Sequence, residues 1–215
     1  MTWKVTALTP QQKNKDRVNV YLDNKFAFGL AAIIAARLKV GQTLGDGEIA
    51  HLRGLDEVEE AYNKSLKYLS YRPRSRSELE RYLNGKKLPA EAIAKVIARL
   101  EQAQFVNDGE FARFWVENRE HFAPRGKRAL RTELRQKGLS DADVETALSE
   151  VDETASAYEA GRKRAARMHG LDRETFHRRL SGFLQRRGFG YEVTKTVVAR
   201  LWKEQGGDAV ESDFD

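Results

Sequence analysis

Three clusters of basic side chains are the residues whose type and spacing point to chemistry in this sequence of 215 residues. Arginine binds phosphates and carboxylates through paired hydrogen bonds, and lysine binds them as a point charge. The clusters therefore predict the binding of a polyanion. They contain Arg72, Arg74, Arg76, Arg81, Lys86 and Lys87; then Arg125, Lys127, Arg128, Arg131, Arg135 and Lys137; and then Arg162, Lys163, Arg164, Arg167, Arg173, Arg178, Arg179, Arg186 and Arg187.

Basic residues also line the polar face of ordinary amphipathic helices, and this second interpretation stays open for every cluster. Two observations favour binding. Arginine outnumbers lysine in the second and third clusters, and the segment that holds the third has nine bases and two acids. In the second cluster Leu130 and Leu134 are predicted to face inward, which places Arg128, Arg131 and Arg135 on one outer face. From the third cluster we select Arg164, Arg167, Arg179 and Arg186 as candidate binding residues.

The distribution of charge along the chain agrees with a polyanionic partner. The sequence has 38 basic and 32 acidic residues, a net charge of +6. Four of the acids and none of the bases lie in the last eight residues, so the rest of the chain is more basic than the total indicates. A basic body with an acidic tail predicts nucleic acid as the first candidate partner, although the same charge also serves solubility.

The sequence offers little for catalysis. It has no cysteine, which excludes disulfides, thiolate chemistry and cysteine-based metal sites. It contains neither a phosphate-binding G-x-x-x-x-G-K-[ST] loop nor a G-x-G-x-x-G turn, its four histidines are scattered, and most of its carboxylates have Lys or Arg at helical spacing. We therefore predict no enzyme activity, no metal and no cofactor.

The location of the protein is predicted from segments that the sequence lacks. The longest apolar run, Leu30–Ala36, is far too short to span a bilayer. The amino terminus, Met1–Lys4, leads into mixed polar sequence and does not resemble a secretory signal. We expect a cytoplasmic protein.

The first 45 residues have the alternating pattern of strands. Residues 18–22 and 26–28 alternate apolar and other side chains on either side of Asp23-Asn24, a dipeptide suited to a two-residue turn. Residues 5–8 predict a third strand, and the alanine-rich stretch 30–38 predicts a helix. This part of the chain is predicted to be a small β-hairpin module with a capping helix.

The rest of the sequence contains an internal repeat. The segment "ELERYLNGKKLPAEAIAKVIARL" aligns without a gap with "ALRTELRQKGLSDADVETALSEV", 51 residues further on, and all seven of its core positions stay apolar. A third copy, "RRLSGFLQRRGFGYEVTKTVVARL", lies at a shift of 101, and only Thr194 breaks its apolar pattern. With a leading helix before each copy, the pattern predicts three tandem three-helix repeats of about 50 residues.

The predicted fold is mainly α, with the three repeats forming an elongated curved array behind the β-hairpin module. The predicted boundaries are 1–45 for the module, 46–104, 105–152 and 153–206 for the repeats, and 207–215 for an acidic tail. Among the aromatic residues, Phe111, Phe114 and Trp115 have the side chains to stack on bases, but their helical spacing favours core packing. Core packing is also expected for Trp202.

Three segments resemble the signature segments of the RecX family of regulatory proteins. They are "YLSYRPRSRSELERYL" (68–83), "FVNDGEFARFWVENR" (105–119) and "RGKRALRTELRQKGL" (125–139). The segment "KNKDRVNVYLDNKFAFGL" (13–30) is similar to a β extension found in some members. The third repeat has no such signature segment. In its place stands "RETFHRRLSGFLQRRGF", and only the apolar pattern of this repeat relates it to the family.

The resemblance implies a bacterial cytoplasmic protein that binds the RecA recombinase filament, in its groove and on its DNA. Such proteins block filament growth or promote disassembly, and so reduce strand exchange, DNA-dependent ATP hydrolysis and coprotease activity in recombination, DNA repair and the SOS response. They are modulators without catalysis of their own. The implied partners are the RecA filament and single- and double-stranded DNA, with no membrane, and we expect a monomer.

The resemblance also implies binding roles for the residues of its matched motifs. These are Arg72, Arg74 and Arg76 with Pro73, then Arg119, and then Arg125, Gly126 and Arg128. For Gly126 two roles are open, the start of a helix and a contact with phosphate or an acidic group. The main alternative function is a stand-alone DNA-binding helical repeat protein that acts without RecA. A nucleic-acid enzyme is disfavoured by the missing metal and phosphate motifs.

Overall fold

The computed structural model describes residues 1–206, which form four strands and ten helices. They group into two compact units, Met1–Arg74 with Glu78–Val106, and Ser75–Ser77 with the residues from Asn107 on. The predicted acidic tail lies outside the described residues. In chain order the elements are β1 (Thr2–Pro10), β2 (Arg17–Leu22), β3 (Lys25–Ala31), α1 (Ala32–Ala35), β4 (Thr43–Gly45), α2 (Asp46–Leu69), α3 (Arg76–Asn84), α4 (Ala90–Gln102), α5 (Asp108–Phe122), α6 (Lys127–Gln136), α7 (Asp141–Ser149), α8 (Glu153–Ala165), α9 (Arg173–Arg186) and α10 (Tyr191–Glu204).

The amino-terminal strands form an antiparallel sheet in the order β3-β2-β1-β4. Asp23 and Asn24 have φ angles of 47° and 65°, and positive φ at both positions is what a type I′ hairpin turn requires. The predicted hairpin and third strand are thereby confirmed. Two details differ from the prediction. The short strand β4 had no sequence pattern, and the helix predicted over 30–38 is only the four residues of α1, because Leu30 and Ala31 pair with β2.

A buried carboxylate joins the sheet to α2. Asp56 is 9% exposed, and its Oδ1 accepts a hydrogen bond of 2.7 Å from the backbone N–H of Ala31. Its Oδ2 accepts one of 2.7 Å from Nη2 of Arg17. Because β2 supplies the guanidinium and the end of β3 supplies the N–H, one side chain of α2 fixes both strands.

The three helical repeats have equivalent cores, and the predicted mainly helical fold with three three-helix repeats is confirmed. The first helix of each set is α2, α5 or α8, and the second is α3, α6 or α9. At two equivalent positions each second helix buries a leucine completely, with 0% exposure in every case: Leu79, Leu83, Leu130, Leu134, Leu180 and Leu184. The sequence repeat therefore reflects a repeated packing of side chains. The predicted domain boundaries stay predictions.

Two glycines allow the second and third repeats to touch through their backbones. The N–H of Gly126 donates a hydrogen bond of 3.0 Å to the carbonyl oxygen of Arg187. A Cβ added to Gly126 would lie 2.2 Å from the carbonyl oxygen of Gly188, and one added to Gly188 would lie 2.4 Å from Cβ of Ala129. Gly126 also begins α6 as its N-cap. The geometry thus supports the structural role of Gly126.

Thr194, which interrupts the apolar pattern of the third repeat, lowers the free energy of unfolding. Thr194 is 2% exposed, and its hydroxyl finds no hydrogen-bond partner in the described part of the chain. The equivalent residues, Ile93 and Val144, are buried and apolar. We expect Thr194→Val to raise the free energy of unfolding by about 1 kcal/mol, because a buried hydroxyl without a partner is removed. Chemical denaturation measures this, and no gain in stability relative to the exposed control Thr196→Val would contradict it.

Candidate polyanion-binding site

In the first basic cluster, Arg72 has an internal partner. Its Nη1 and Nη2 each donate a hydrogen bond of 2.9 Å to the carboxylate of Glu78. Donating to the carboxylate of Glu78 raises the pKa of Arg72. This pair ties the end of the α2–α3 connection to α3, so Arg72 has a structural role whatever else it binds.

Arg74, the next predicted residue, takes part in a stack of rings and cations. The rings of Tyr68 and Tyr82 lie parallel, with an interplanar angle of 5° and centroids 4.2 Å apart. The guanidinium of Arg74 lies 4.0 Å from the Tyr68 centroid, and Nζ of Lys86 lies 5.2 Å from that of Tyr82. The stack presents positive charge at both ends. Arg76 lies at the first residue of α3.

Two predicted arginines of the second repeat share one carboxylate. Nε of Arg119 donates to Oε2 of Glu133 at 2.8 Å, and Nε of Arg125 forms an ion pair with Oε1 at 3.0 Å. The indole N–H of Trp115 also donates to Oε2, at 2.8 Å, and Arg119 lies over the ring at 4.7 Å. We call Trp115, Arg119, Arg125 and Glu133 the Glu133 hub. Its two cations and one anion leave a surplus of one positive charge.

Of the arginines predicted to share an outer face, two have ion pairs with α7. Nε and Nη2 of Arg131 donate to the carboxylate of Glu145 at 2.6 and 2.9 Å, which holds the pKa of Glu145 below its usual value. Nε of Arg135 donates to Asp141 at 2.9 Å. The third, Arg128, donates from Nη2 to the carbonyl oxygen of Gln185 at 3.1 Å.

A cleft of about 400 Å³ lies beside these residues, at the start of α6 and of α10. Lys127, Arg128 and Arg131 line it, and Glu153 accepts a hydrogen bond of 2.9 Å from the backbone N–H of Lys127. Lys127 therefore lies with two of the predicted arginines at one depression of the surface.

In the part of the chain that the structure describes, all four predicted residues of the third repeat lack carboxylate partners, as Arg74, Lys127 and Arg128 do in the other repeats. Within residues 1–206, Arg164, Arg167, Arg179 and Arg186 form no ion pair, and all four are exposed. The neighbouring Arg178 does pair, with Glu174 at 3.7 Å. The third repeat thus carries the largest group of uncompensated cations among the predicted residues.

A cation at one equivalent position lies over an aromatic ring in every repeat. Lys86 lies over Tyr82, Nζ of Lys137 lies 4.6 Å from the Trp115 centroid, and the guanidinium of Arg187 lies 4.7 Å from that of Phe183. These cations are related by the sequence shifts of 51 and 101. All three belong to the basic clusters, and none of them is among the candidate binding residues that the sequence predicts. Their spacing of 51 and 101 residues is the sequence pattern that could have identified them as equivalent cations.

Of the three aromatic residues of α5 for which core packing is expected, Phe111 and Trp115 pack in the core and Phe114 does not. Phe111 is 2% exposed, and Trp115 packs against the core of the second repeat. Phe114 is 36% exposed. Trp202 packs on the core of the third repeat, with its ring centroid 5.2 Å from that of Phe176.

Two kinds of site are absent from residues 1–206. They contain no group of three or more histidine, aspartate or glutamate side chains placed to hold a metal ion. No helix among them is long and apolar enough to cross a membrane.

Family models cover most of the chain. The RecX amino-terminal domain matches residues 3–45, and the first, second and third RecX three-helix domains match 61–100, 107–148 and 150–198. The chain belongs to the RecX family of regulatory proteins. The match to the third domain confirms that the third repeat belongs to the family, which the sequence indicated only through its apolar pattern.

Individual RecX proteins agree with this assignment. The regulatory protein RecX of Bacillus subtilis is 34% identical over 95% of this chain and 79% of its own length. That of Streptomyces coelicolor is 39% identical over 71% of this chain and 83% of its own length. A crystal structure of a regulatory protein RecX matches with a TM-score of 0.77 and 27% identity, covering 91% of this chain and 98% of the other. All the candidate binding residues lie within the three matched helical domains.

Proposed function

We propose that this RecX family member binds the RecA recombinase filament and DNA, and limits filament growth. By doing so it reduces ATP hydrolysis, strand exchange and coprotease activity during DNA repair and the SOS response. It acts in the cytoplasm as a monomer, and it has no catalytic activity of its own. Membership of a family of regulatory proteins supports the regulatory half of this proposal.

The observation that carries the DNA-binding half is the group of uncompensated arginines in the third repeat. Arg164, Arg167, Arg179 and Arg186 are exposed and have no carboxylate partner within residues 1–206. Guanidinium groups that are not neutralised by the protein are available to replace the counterions of a nucleic-acid backbone. The ion pairs of Arg72, Arg131 and Arg135 must be broken or shared before these residues bind phosphate, so they contribute less.

The regulatory half is tested by the DNA-dependent ATPase rate of the cognate RecA on single-stranded DNA. This protein is titrated in below one copy per RecA monomer. We expect inhibition at substoichiometric amounts, because a protein that acts on filament ends or assembly needs few copies. Inhibition that begins only when the DNA is saturated would contradict the proposal and favour competition for phosphates by a stand-alone DNA-binding protein.

The DNA-binding half is tested with neighbouring arginines of α9 that differ in their partners. Arg179→Gln removes an uncompensated cation, whereas the control Arg178→Gln removes one that is paired with Glu174. We expect Arg179→Gln to weaken oligo(dT) binding and to reduce the slope of log K against log salt concentration by about 0.7, the value for one phosphate contact on a single strand. Equal effects of the two substitutions would contradict this placement.

A further inference from the structure

Arg187 and Arg74 differ from the other half-buried arginines of residues 1–206, because neither forms an ion pair. Most of the half-buried arginines form an ion pair with a carboxylate, namely Arg17, Arg72, Arg99, Arg119, Arg125 and Arg131. Arg187 is half-buried too, yet it forms no ion pair with any residue from 1 to 206. A cation that is partly removed from water without a counter-charge is unfavourable by itself. An anion from outside the described chain would therefore stabilise the guanidinium of Arg187.

The surroundings of Arg187 add further positive charge. Its Nη1 donates to the carbonyl oxygen of Pro124 at 3.2 Å, which holds the guanidinium beside Arg125. Burial, and secondly the like charge of Arg125, lower the pKa of Arg187. The guanidinium of Arg164 lies 5.9 Å from the centroid of Phe183, the same ring that Arg187 contacts at 4.7 Å. Three guanidinium groups are thus held around Pro124 and Phe183.

The one carboxylate that pairs with this group within residues 1–206 also has other partners. Glu133 forms an ion pair with Arg125, but it also accepts hydrogen bonds from Arg119 and from the indole of Trp115. Arg164 and Arg187 have no carboxylate within the described chain. The protein therefore provides at most a share of one negative charge for three cations.

We propose that Arg125, Arg164 and Arg187 form a binding subsite for a backbone phosphate of a nucleic acid, with Phe183 as its apolar floor. Guanidinium groups bind phosphate oxygens through paired hydrogen bonds, and the phosphate supplies the missing counter-charge. This inference rests on the DNA-binding half of the proposed function. We favour a polynucleotide over an acidic peptide, because the third repeat has three further exposed cations without carboxylate partners in the described chain, Arg167, Arg179 and Arg186.

The test compares binding of fluorescein-labelled oligo(dT) by full-length variants, measured by anisotropy over a range of salt concentrations. We expect Arg187→Gln to weaken binding about tenfold, a typical effect for a hydrogen bond to a charged group. It also reduces the salt slope by about 0.7. Arg187→Lys, which keeps the charge but not the paired donors, recovers part of the loss. Arg178→Gln, at an exposed and paired arginine, serves as the matched control.

Because Arg187 also holds Pro124, thermal unfolding of Arg187→Gln is measured as well. Arg164 is exposed and holds no backbone group, so Arg164→Gln should leave the melting temperature unchanged and still weaken binding. Wild-type affinity in both Arg187→Gln and Arg164→Gln, with weakened binding in Arg179→Gln, would overturn the subsite alone. Wild-type affinity in all three would overturn the DNA-binding half of the proposed function. Unchanged oligo(dT) binding with weakened binding to DNA-free RecA would assign the group to an acidic protein surface instead.

Discussion

Gly126→Ala will lower the free energy of unfolding of the second and third repeats by about 3 kcal/mol, the upper end of what overpacking costs. The added Cβ would lie 2.2 Å from the carbonyl oxygen of Gly188 and 2.3 Å from the backbone nitrogen of Phe189. These are backbone atoms, so no side chain can rotate away to make room. The backbone segments must separate, and the hydrogen bond from Gly126 to Arg187 is lost with the contact.

Denaturant unfolding of the full chain, followed by circular dichroism, measures this effect. Gly54→Ala is the matched control, because nothing lies within 4 Å of a Cβ at that position of α2. There the same substitution is expected to stabilise the chain by about 0.5–1 kcal/mol, since alanine is the better helix former. If Gly126→Ala unfolds at the same denaturant concentration as the unchanged protein, the close contact of the two glycines is wrong.

Asp56→Ala is expected to destabilise the amino-terminal sheet by about 3–5 kcal/mol, the range for removing one partner of a buried ion pair. Two groups lose their acceptor at once. Arg17 stays half-buried without a counter-charge, and the N–H of Ala31 loses its hydrogen bond inside the protein. Since these groups belong to β2 and to the end of β3, the loss is expected to separate the sheet from α2.

Two further variants, Asp56→Asn and Arg17→Gln/Asp56→Asn, separate the loss of the hydrogen bond to Ala31 from the loss of the counter-charge for Arg17. The amide oxygen of Asn keeps an acceptor for the N–H of Ala31, so Asp56→Asn should cost less than Asp56→Ala. Adding Arg17→Gln removes the unpaired cation and should recover part of the remaining loss. Equilibrium unfolding in urea gives the free energies. Additive effects of the two substitutions would show that Arg17 and Asp56 are not coupled.

The repeat could be predicted from sequence because its core positions recur at a fixed spacing. Leu79, Leu130 and Leu180 are equivalent in the sequence and completely buried in the structure. The short elements could not be predicted in the same way. The stretch after Gly29 is rich in helix-forming residues, but Leu30 is held in β3 by pairing with Val18, so tertiary pairing overrides local preference.

For the candidate site, the sequence identified the cations but not their partners. Ion pairs between residues four apart on one helix follow from sequence, as for Glu60 and Lys64. The pairs of Arg131 with Glu145 and of Arg119 with Glu133 join different helices, so their formation depends on how those helices pack. This pairing decides which arginines remain uncompensated, and only the structure supplies it.

The three indole rings give this chain spectroscopic probes in separate places. The indole N–H of Trp3 donates to Asp46 in the amino-terminal module, and that of Trp115 donates to Glu133 beside Arg119. The indole nitrogen of Trp202 is buried and has no hydrogen-bond partner within residues 1–206. Variants that retain one tryptophan each would therefore report separately on the β module, on the Glu133 hub and on the core of the third repeat. Through its own fluorescence and without an attached dye, this RecX protein can reveal which part of the chain a partner touches.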